Sequence, residues 1–523
     1  MPVPSSFNDI TERKDIRDFS GWVWYQRNFV TPFLWNLNQT KIESVLRFGS
    51  VNYRCKVWLN GVLIAQHVGG HLPFQALVTP LLKNSGISNY LTVAVNNELS
   101  FNTLPPGKVK ILPDDQHPGS NITEMQPNFD FFPYSGIHRS VILHCLPTER
   151  IVDLTVRTDI KDENAFVEYS IRTNINSQSS TKVCVKLFDK NGRIVSKTLT
   201  GERNIFTLNN ATLWYPFPGI KNQKPGYCYK MIVELLENDV LLDRIEQHVG
   251  IRRVELKSDG FYINNHSVYL RGFGRHEDEA IRGRGLSATT MIKDFNLMKW
   301  AGANSFRTSH YPYSEEIMNE ADEQGFLVIN EVPAVGLVKF DNEILYRQHI
   351  KTIEELIDRD KNRPSVIAWS IANEPHSYDF FALKYFLTIA DIARKADSMM
   401  KRPITAAINN EPEKEFATYS LDFVMLNHYS GWYSDIGYVQ VIRQDLKRIV
   451  EEYSDKFKIP VMISEYGADS IAGIHNDPSD IFSEEYQVEL LTEYHFSFDI
   501  LRKNKRLIGE HIWNFADFRT SPR

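Results

Sequence analysis

Val366-Ile-Ala-Trp-Ser-Ile-Ala-Asn-Glu-Pro375 is an uncharged run that ends on a carboxylate and then on a proline. A continuous, largely apolar run of this length reads as a strand buried on both faces, the kind found in parallel sheets covered by helices. Pro375 ends the strand, and Glu374 is left at its C-terminal end, where a (β/α)8 barrel collects its functional groups. Pro460-Val-Met-Ile-Ser-Glu-Tyr-Gly467 repeats the arrangement with Glu465.

The surrounding sequence supplies the rest of such a barrel. Strand-like runs occur at residues 268–275, 304–310, 327–332, 366–373, 404–408, 423–428, 461–464 and 508–514. Amphipathic helical patterns lie between most of them, such as 290–300, 315–324 and 380–398. Eight strand–helix units in series predict a (β/α)8 TIM barrel over residues 255–523. The helix that would follow the eighth strand is absent before the last residue, Arg523, so a barrel lacking its last helix, and hence a truncated chain, is expected.

Upstream the period changes to that of strands. Residues 149–254 hold about seven short runs, among them Ile151-Val-Asp-Leu-Thr-Val156 and Val183-Cys-Val-Lys-Leu187, which predict an immunoglobulin-like β-sandwich. Residues 1–148 are also all-β, with an Asn60-Gly61 hairpin turn inside Lys56-Val-Trp-Leu-Asn-Gly-Val-Leu-Ile64, and read as a jelly-roll sandwich. The expectation is thus a multidomain chain: jelly roll, immunoglobulin-like sandwich, TIM barrel.

Composition narrows the function. Hydrophobic residues make up 42% and charged residues 24% of the 523, the balance of an ordinary globular protein. A net charge of −6 without a long basic cluster argues against a nucleic-acid partner, and no apolar run is long enough for a membrane span. Met1-Pro-Val-Pro-Ser-Ser6 has neither the basic start nor the apolar stretch of a signal peptide. Sequons stand at Asn38, Asn121, Asn210 and Asn265. Of the four cysteines, Cys55, Cys145, Cys184 and Cys228, none has metal-site spacing; Cys184 and Cys228 sit in neighbouring strand-like segments and either pair or stand as buried thiols.

On the strand count, Glu374 ends strand four and Glu465 ends strand seven, so both reach one rim. Arg275, His276, Arg307, Ser309, His310, Glu331, Asn373, Asn427, His428, Tyr429, Trp432, Tyr433, Trp513 and Asp517 collect at the same rim. A single glutamate at a strand end is ordinarily a cap or an ion-pair partner. Two at one barrel rim are what glycoside hydrolysis needs: one acid to protonate the leaving oxygen, one carboxylate to attack the sugar or activate water. His276-Glu-Asp-Glu279 has no metal-binding spacing, and Arg282-Gly-Arg-Gly285 reads as a solvated turn. No metal or cofactor is expected.

Asp360-Lys-Asn-Arg-Pro-Ser-Val-Ile-Ala-Trp-Ser-Ile-Ala-Asn-Glu374 resembles the acid/base signature of glycoside hydrolase family 2, and Asn304-Ser-Phe-Arg-Thr-Ser-His-Tyr-Pro312 resembles the family's other signature. Within it, Asp130-Phe-Phe-Pro-Tyr-Ser-Gly136, Ser464-Glu-Tyr-Gly-Ala-Asp-Ser-Ile-Ala-Gly473 and Trp513-Asn-Phe-Ala-Asp-Phe518 resemble the β-glucuronidase branch. The resemblance covers essentially the whole chain. It implies Glu374 as general acid/base and Glu465 as nucleophile. It implies Asn373 at the sugar's 2-hydroxyl, Tyr433 hydrogen-bonding near the nucleophile, and His310, Trp513 and Asp130 lining the pocket.

Arg307 is expected beside the nucleophile or at a substrate carboxylate. The family's Asn-x-Lys element for that carboxylate lies beyond Arg523, and the first jelly-roll strands are expected to be missing. Ser430 and Pro133 stand where the branch usually carries tyrosine and asparagine. The implied activity is retaining exo-hydrolysis of terminal β-D-glucuronosides, from glycosaminoglycan ends or glucuronide conjugates. The alternatives are β-galactosidase or β-mannosidase activity, or a non-catalytic carbohydrate-binding form. The resemblance also implies a homotetramer and a lysosomal or secreted, glycosylated product.

Overall fold

The computed structural model describes residues 1–32, 42–113, 121–175, 181–198, 201–220, 223–285 and 287–520. Of the sequons, Asn38 lies outside the described residues, and the side chain of Asn121 is likewise not described.

Eight parallel strands close into a barrel: β1 (Leu270–Gly274), β2 (Ser305–Arg307), β3 (Leu327–Glu331), β4 (Val366–Asn373), β5 (Ile404–Ile408), β6 (Val424–Asn427), β7 (Val461–Glu465) and β8 (Leu507–Ile512). Closure comes from β1 pairing with β8, with Leu270 opposite Gly509 and Phe273 opposite Ile512. Every residue of β4 is buried, as its unbroken apolar run requires. Inside the barrel Leu270, Ile329, Ile367, Met425 and Met462 form one packed cluster. Phe261 and Ile263, from the hairpin Gly260–Ile263 and His266–Val268, join this cluster. The hairpin precedes β1 and so plugs the N-terminal end of the barrel.

Four of the outer helices begin where the sequence supplies a cap. Ser287, Ser314, Asn342 and Ser483 each accept a backbone N–H of the following turn, and Ala288–Trp300, Glu315–Gln324, Glu343–Asp360 and Glu484–Lys503 follow them. Gly325, with φ of 80°, ends the second. The connection from β5 to β6 departs from the alternating pattern: it carries only the short 3₁₀ turns Pro412–Lys414 and Ala417–Ser420. Fifteen residues including Pro412 leave little room for a helix of ordinary length there. Among the described residues no helix follows β8, and none is long and apolar enough to cross a membrane.

Upstream, residues 151–249 form two antiparallel sheets. Ile151–Lys161, Asn164–Thr173 and Arg203–Asn209 make one; Ile194–Thr198, Thr181–Phe188, Tyr229–Glu237 and Val240–Val249 make the other. Val167, Tyr169, Val185, Leu187 and Val233 fill the space between them. The first region is built on a four-stranded and a three-stranded antiparallel sheet, packed through Phe48, Val57, Val93 and Val95, with two smaller two-stranded pairings beside them. Asn60 (φ 52°) and Gly61 (φ 86°) make the hairpin turn, with Leu59 opposite Val62. All four cysteines are free thiols, so the pairing of Cys184 with Cys228 does not form.

The sandwich meets the barrel just before β4, where Asn362 accepts from Val156 N at 2.8 Å and donates to the carbonyl of Leu154 at 2.7 Å, beside a buried ion cluster. Asp360 is wholly buried and receives Arg359 at 2.6 Å, Arg363 at 2.8 Å and Asn330 at 2.8 Å. Burial by itself would raise its pKa, but the two guanidiniums win and hold it near about 2. Replacing Asp360 with Ala strands the buried Arg359 and leaves Arg363 with Asp322 alone, and is expected to cost roughly 3–5 kcal/mol in urea unfolding. The folded-state pKa lies below the ordinary 3.8. The stabilisation is therefore full above pH 3.8 and is lost as pH falls towards 2, a dependence the variant lacks.

Candidate active site

The C-terminal ends of the barrel strands open onto a cavity of about 280 Å³ that contains both glutamates. Glu374 follows the last residue of β4 and adopts φ of 46°, an uncommon conformation that turns the chain off the strand at the rim. Glu465 is the last residue of β7 and is 5% exposed.

Two environments differ sharply at this rim. Glu374 has one strong donor, Asn427 Nδ2, at 2.7 Å from Oε1. Burial, and then the negative charge of Glu465, push its pKa up to about 7, against the opposing effect of the Asn427 bond. Glu465 is held by a cation and a phenol. The Arg307 guanidinium donates to Oε1, and Tyr429 Oη donates to Oε2 at 2.7 Å. His310 Nε2 stands 3.8 Å from Oε1. One carboxyl is thus poised to carry a proton at neutral pH, while the other is ringed by hydrogen-bond donors.

Beneath them lies a second layer. Arg307 is wholly buried and also donates to both oxygens of Glu331, at 2.8 and 2.9 Å. Burial opposes ionisation of Glu331, but Arg307, His310 and Ser370 outweigh it and lower the pKa. His310 Nδ1 bonds Glu331 at 3.0 Å, and its ring stacks on Trp513 with centroids 5.0 Å apart. Asn373 Oδ1 accepts from Asn427 at 3.1 Å and from Arg307 at 3.3 Å.

Glu374, Glu465, Asn373, His310, Trp513, Asp130 and Tyr433 all line the cavity, so the expected site residues converge. Tyr433 differs from expectation in what it does there, and Arg307 takes one of its two expected places, beside Glu465 rather than at a ligand. Tyr433 is 72% exposed, its ring tilted against that of Tyr429 with centroids 4.8 Å apart; the hydroxyl on Glu465 is that of Tyr429. Arg307 is not a cavity-lining residue, because both arms of its guanidinium are taken by Glu331 and Glu465. It serves the two carboxylates rather than a ligand.

The first region reaches this rim through residues 128–134. Asp130 lines the cavity, and Asn128 Nδ2 donates to the carbonyl of Gly336 at 2.5 Å. Phe132 N donates to the carbonyl of Arg519 at 2.8 Å. His276-Glu-Asp-Glu279 belongs to this junction. Glu277 pairs with Arg139 at 3.1 Å, and Asp278 accepts from Arg519 N at 3.2 Å. Arg284, expected on a solvated turn, is instead 5% exposed, with its guanidinium 3.8 Å from the Tyr311 ring centre. Sequence reasoning passed over Asn409, His376, Asn128 and Gly336 as cavity residues. Asn409 directly follows β5, the strand whose rim residue had no assignment, and that position is the signal that could have found it.

Comparison with known proteins follows the same division of the chain. Residues 4–147 match the glycosyl hydrolases family 2 sugar binding domain, residues 149–252 glycosyl hydrolases family 2, and residues 254–523 the family's TIM barrel domain. A β-glucuronidase of Mus musculus is 40% identical over 525 residues, spanning 100% of this chain and 80% of that protein. The structure of β-D-glucuronidase from Dictyoglomus thermophilum superposes with a TM-score of 0.92 at 39% identity, covering 100% of this chain and 88% of that one. A β-glucuronidase from Ruminococcus gnavus in complex with D-glucuronic acid gives 0.91 at 38%, covering 100% and 87%.

Proposed function

The chain belongs to glycosyl hydrolase family 2, and from that premise we propose that it is a retaining exo-β-glucuronidase acting by double displacement. Its substrates are terminal β-D-glucuronosides, at glycosaminoglycan ends or in glucuronide conjugates. The observation that carries the reading is the division of labour at the rim. Glu374 has a pKa of about 7, beside a Glu465 that receives Arg307 and Tyr429. The relatives named β-glucuronidase, and the related structure holding glucuronic acid, support the choice of sugar.

In the first step Glu374 gives its proton to the glycosidic oxygen while a Glu465 oxygen bonds the anomeric carbon and the aglycone leaves. The product is a glycosyl ester on Glu465. Its formation removes the negative charge that helps to raise Glu374, so the pKa of Glu374 falls. As a carboxylate, Glu374 then takes a proton from water, which attacks the anomeric carbon and releases the sugar with its original configuration. Asn373, fixed by Asn427 and Arg307, is placed for the 2-hydroxyl, a contact that strengthens at the transition state. Trp513, stacked on His310, forms a wall of the sugar pocket.

The test is hydrolysis of fluorogenic aryl β-D-glucuronide, galactoside and mannoside, with the configuration of the released sugar followed by NMR. Glucuronide preference with β-configured first product is expected. Preference for a neutral sugar, or inversion, refutes the proposal.

The tyrosines separate the local roles. Replacing Tyr429 with Phe removes a charge-assisted bond of roughly 1.5–3 kcal/mol. It is expected to lower kcat/KM for the glucuronide by about ten- to a hundredfold. The same change at the exposed Tyr433 is expected to alter it by less than about threefold, within the range of an exposed polar contact. Equal losses at both positions would contradict the assignment of Tyr429.

A further inference from the structure

At the end of the barrel opposite Glu374, the loops before β4 and β5 meet the sandwich around a second cavity of about 280 Å³. Arg157, Arg252, Arg253, Lys361, Arg363, Lys401 and Arg402 line it, against only Asp159 and Glu255 of the opposite sign. Most of these cations have carboxylates of their own. Arg363 pairs with Asp360 and Asp322 at 2.8 and 2.9 Å, Lys361 with Asp153 and Asp358 at 2.6 and 2.8 Å. Arg253 pairs with Glu255 at 2.8 Å, and Arg157 with Asp159 at 3.6 Å.

Arg252 is different. Among the described residues no carboxylate lies within ion-pairing distance of it. Its Nη2 donates to the carbonyl of Val366 at 2.8 Å, and its guanidinium lies 5.9 Å from the Trp214 ring centre. Its Nε is buried and bonds to nothing. Arg402 is 4% exposed at its side chain and is clamped by Asp397 at 2.7 Å, yet its Nη1 is also buried without a partner. Burial, then the like charge of Arg402, push Arg252 down to about 9. Two guanidiniums in mutual repulsion, each with an idle buried donor, are an arrangement that a single anion relieves. A guanidinium fork fits a tetrahedral oxyanion in particular.

We infer that this cavity binds a phosphate or sulfate group between Arg252 and Arg402, with the exposed Lys401 at its edge. Asp397 holds Arg402 in place beforehand, which lowers the ordering cost of binding. The ligand would join the loop after the sandwich's last strand to the loops that precede β4 and β5, so it would tie the sandwich to the barrel floor.

The probe is inorganic phosphate on the full chain, read by ³¹P line broadening and by thermal unfolding against chloride at equal ionic strength. A saturable response is expected, with sulfate competing. Arg252→Gln is expected to weaken phosphate at least about tenfold, the loss of a charge-assisted bond. Because that change also removes bonds to backbone carbonyls, Lys401→Gln serves beside it. It sits on an exposed residue and is expected to weaken phosphate by roughly two- to fivefold. A phosphate monoester such as glycerol 2-phosphate identifies the source: binding as tight as the free ion points to a group on a larger molecule, weaker binding to the ion itself. No saturable response, or the same response in the parent and both variants, overturns the inference. Hydrolysis at the other rim plays no part in these readouts.

Discussion

Replacing Glu465 with Gln is expected to reduce turnover of an aryl β-D-glucuronide at least about a thousandfold, a substantial part of an enzyme's usual acceleration. The amide keeps the shape of the side chain but cannot form the glycosyl ester. The fold should survive, and for an electrostatic reason. Arg307 faces two carboxylates, Glu331 and Glu465, inside one buried cluster. That cluster carries an excess negative charge, and the substitution removes it while Glu331 still neutralises Arg307. Removing Arg307 instead would leave two buried carboxylates facing each other and should destabilise the protein severely. A second consequence concerns Glu374. The charge of Glu465 is one of the causes that raise it, so in the Glu465→Gln protein its pKa should fall below about 7, measurable by ¹³C NMR of the carboxyl. Near-native circular dichroism with turnover within tenfold of the parent would sink the nucleophile assignment.

The pH profile carries the second large effect. A general acid works only while protonated, so kcat/KM should decline on the alkaline side with an apparent pKa near about 7. Glu374→Gln should abolish that limb and lower kcat/KM by roughly 10²–10⁴-fold for an alkyl glucuronide, whose leaving group needs a proton. The loss should be smaller for a nitrophenyl glucuronide, whose leaving group departs unaided. An alkaline limb that persists in the variant would show that another group is responsible. The same carboxyl affects stability. Its folded-state pKa lies above the ordinary 4.5, so the folded form holds the proton more tightly. The contribution to stability is present below pH 4.5 and is lost as pH rises through about 7. Above pH 7 the glutamine variant should therefore be the more stable protein, by something of order 1–3 kcal/mol. Activity and stability pull against each other at this one residue.

Much of the barrel was legible because its strands are buried on both faces. Residues 366–373 and 404–408 read as strands from their apolar runs, and β4 and β5 have those bounds. Residues 304–310 read as one strand, but only Ser305–Arg307 pair; Thr308, Ser309 and His310 leave the ladder to place the imidazole over Glu331. The two glutamates were legible for the same reason as the strands: a carboxylate ending an apolar run is conspicuous. What orientation decides was not legible. Tyr429 and Tyr433 lie on one turn, with the amide of Tyr433 bonded to the carbonyl of Tyr429, and sequence spacing does not say which hydroxyl meets Glu465. For Arg307 the sequence left open a place beside the nucleophile or at a substrate carboxylate, and Arg284 read as part of a solvated turn. Their burial follows from partners distant in sequence: Glu331 and Glu465 for one, the rings of Phe131 and Tyr311 for the other.

The loop at residues 128–130 has a consequence for how the protein is made. The cavity takes Asn128, Phe129 and Asp130 from early in the chain and Trp513 from near its end. During vectorial synthesis the first of these emerge long before the last. A ribosome-bound chain can complete its early sandwich and most of its barrel strands and still present no finished pocket. The pocket can be completed only when translation has passed Trp513 and the two distant segments have docked, so the early sandwich alone carries no working site.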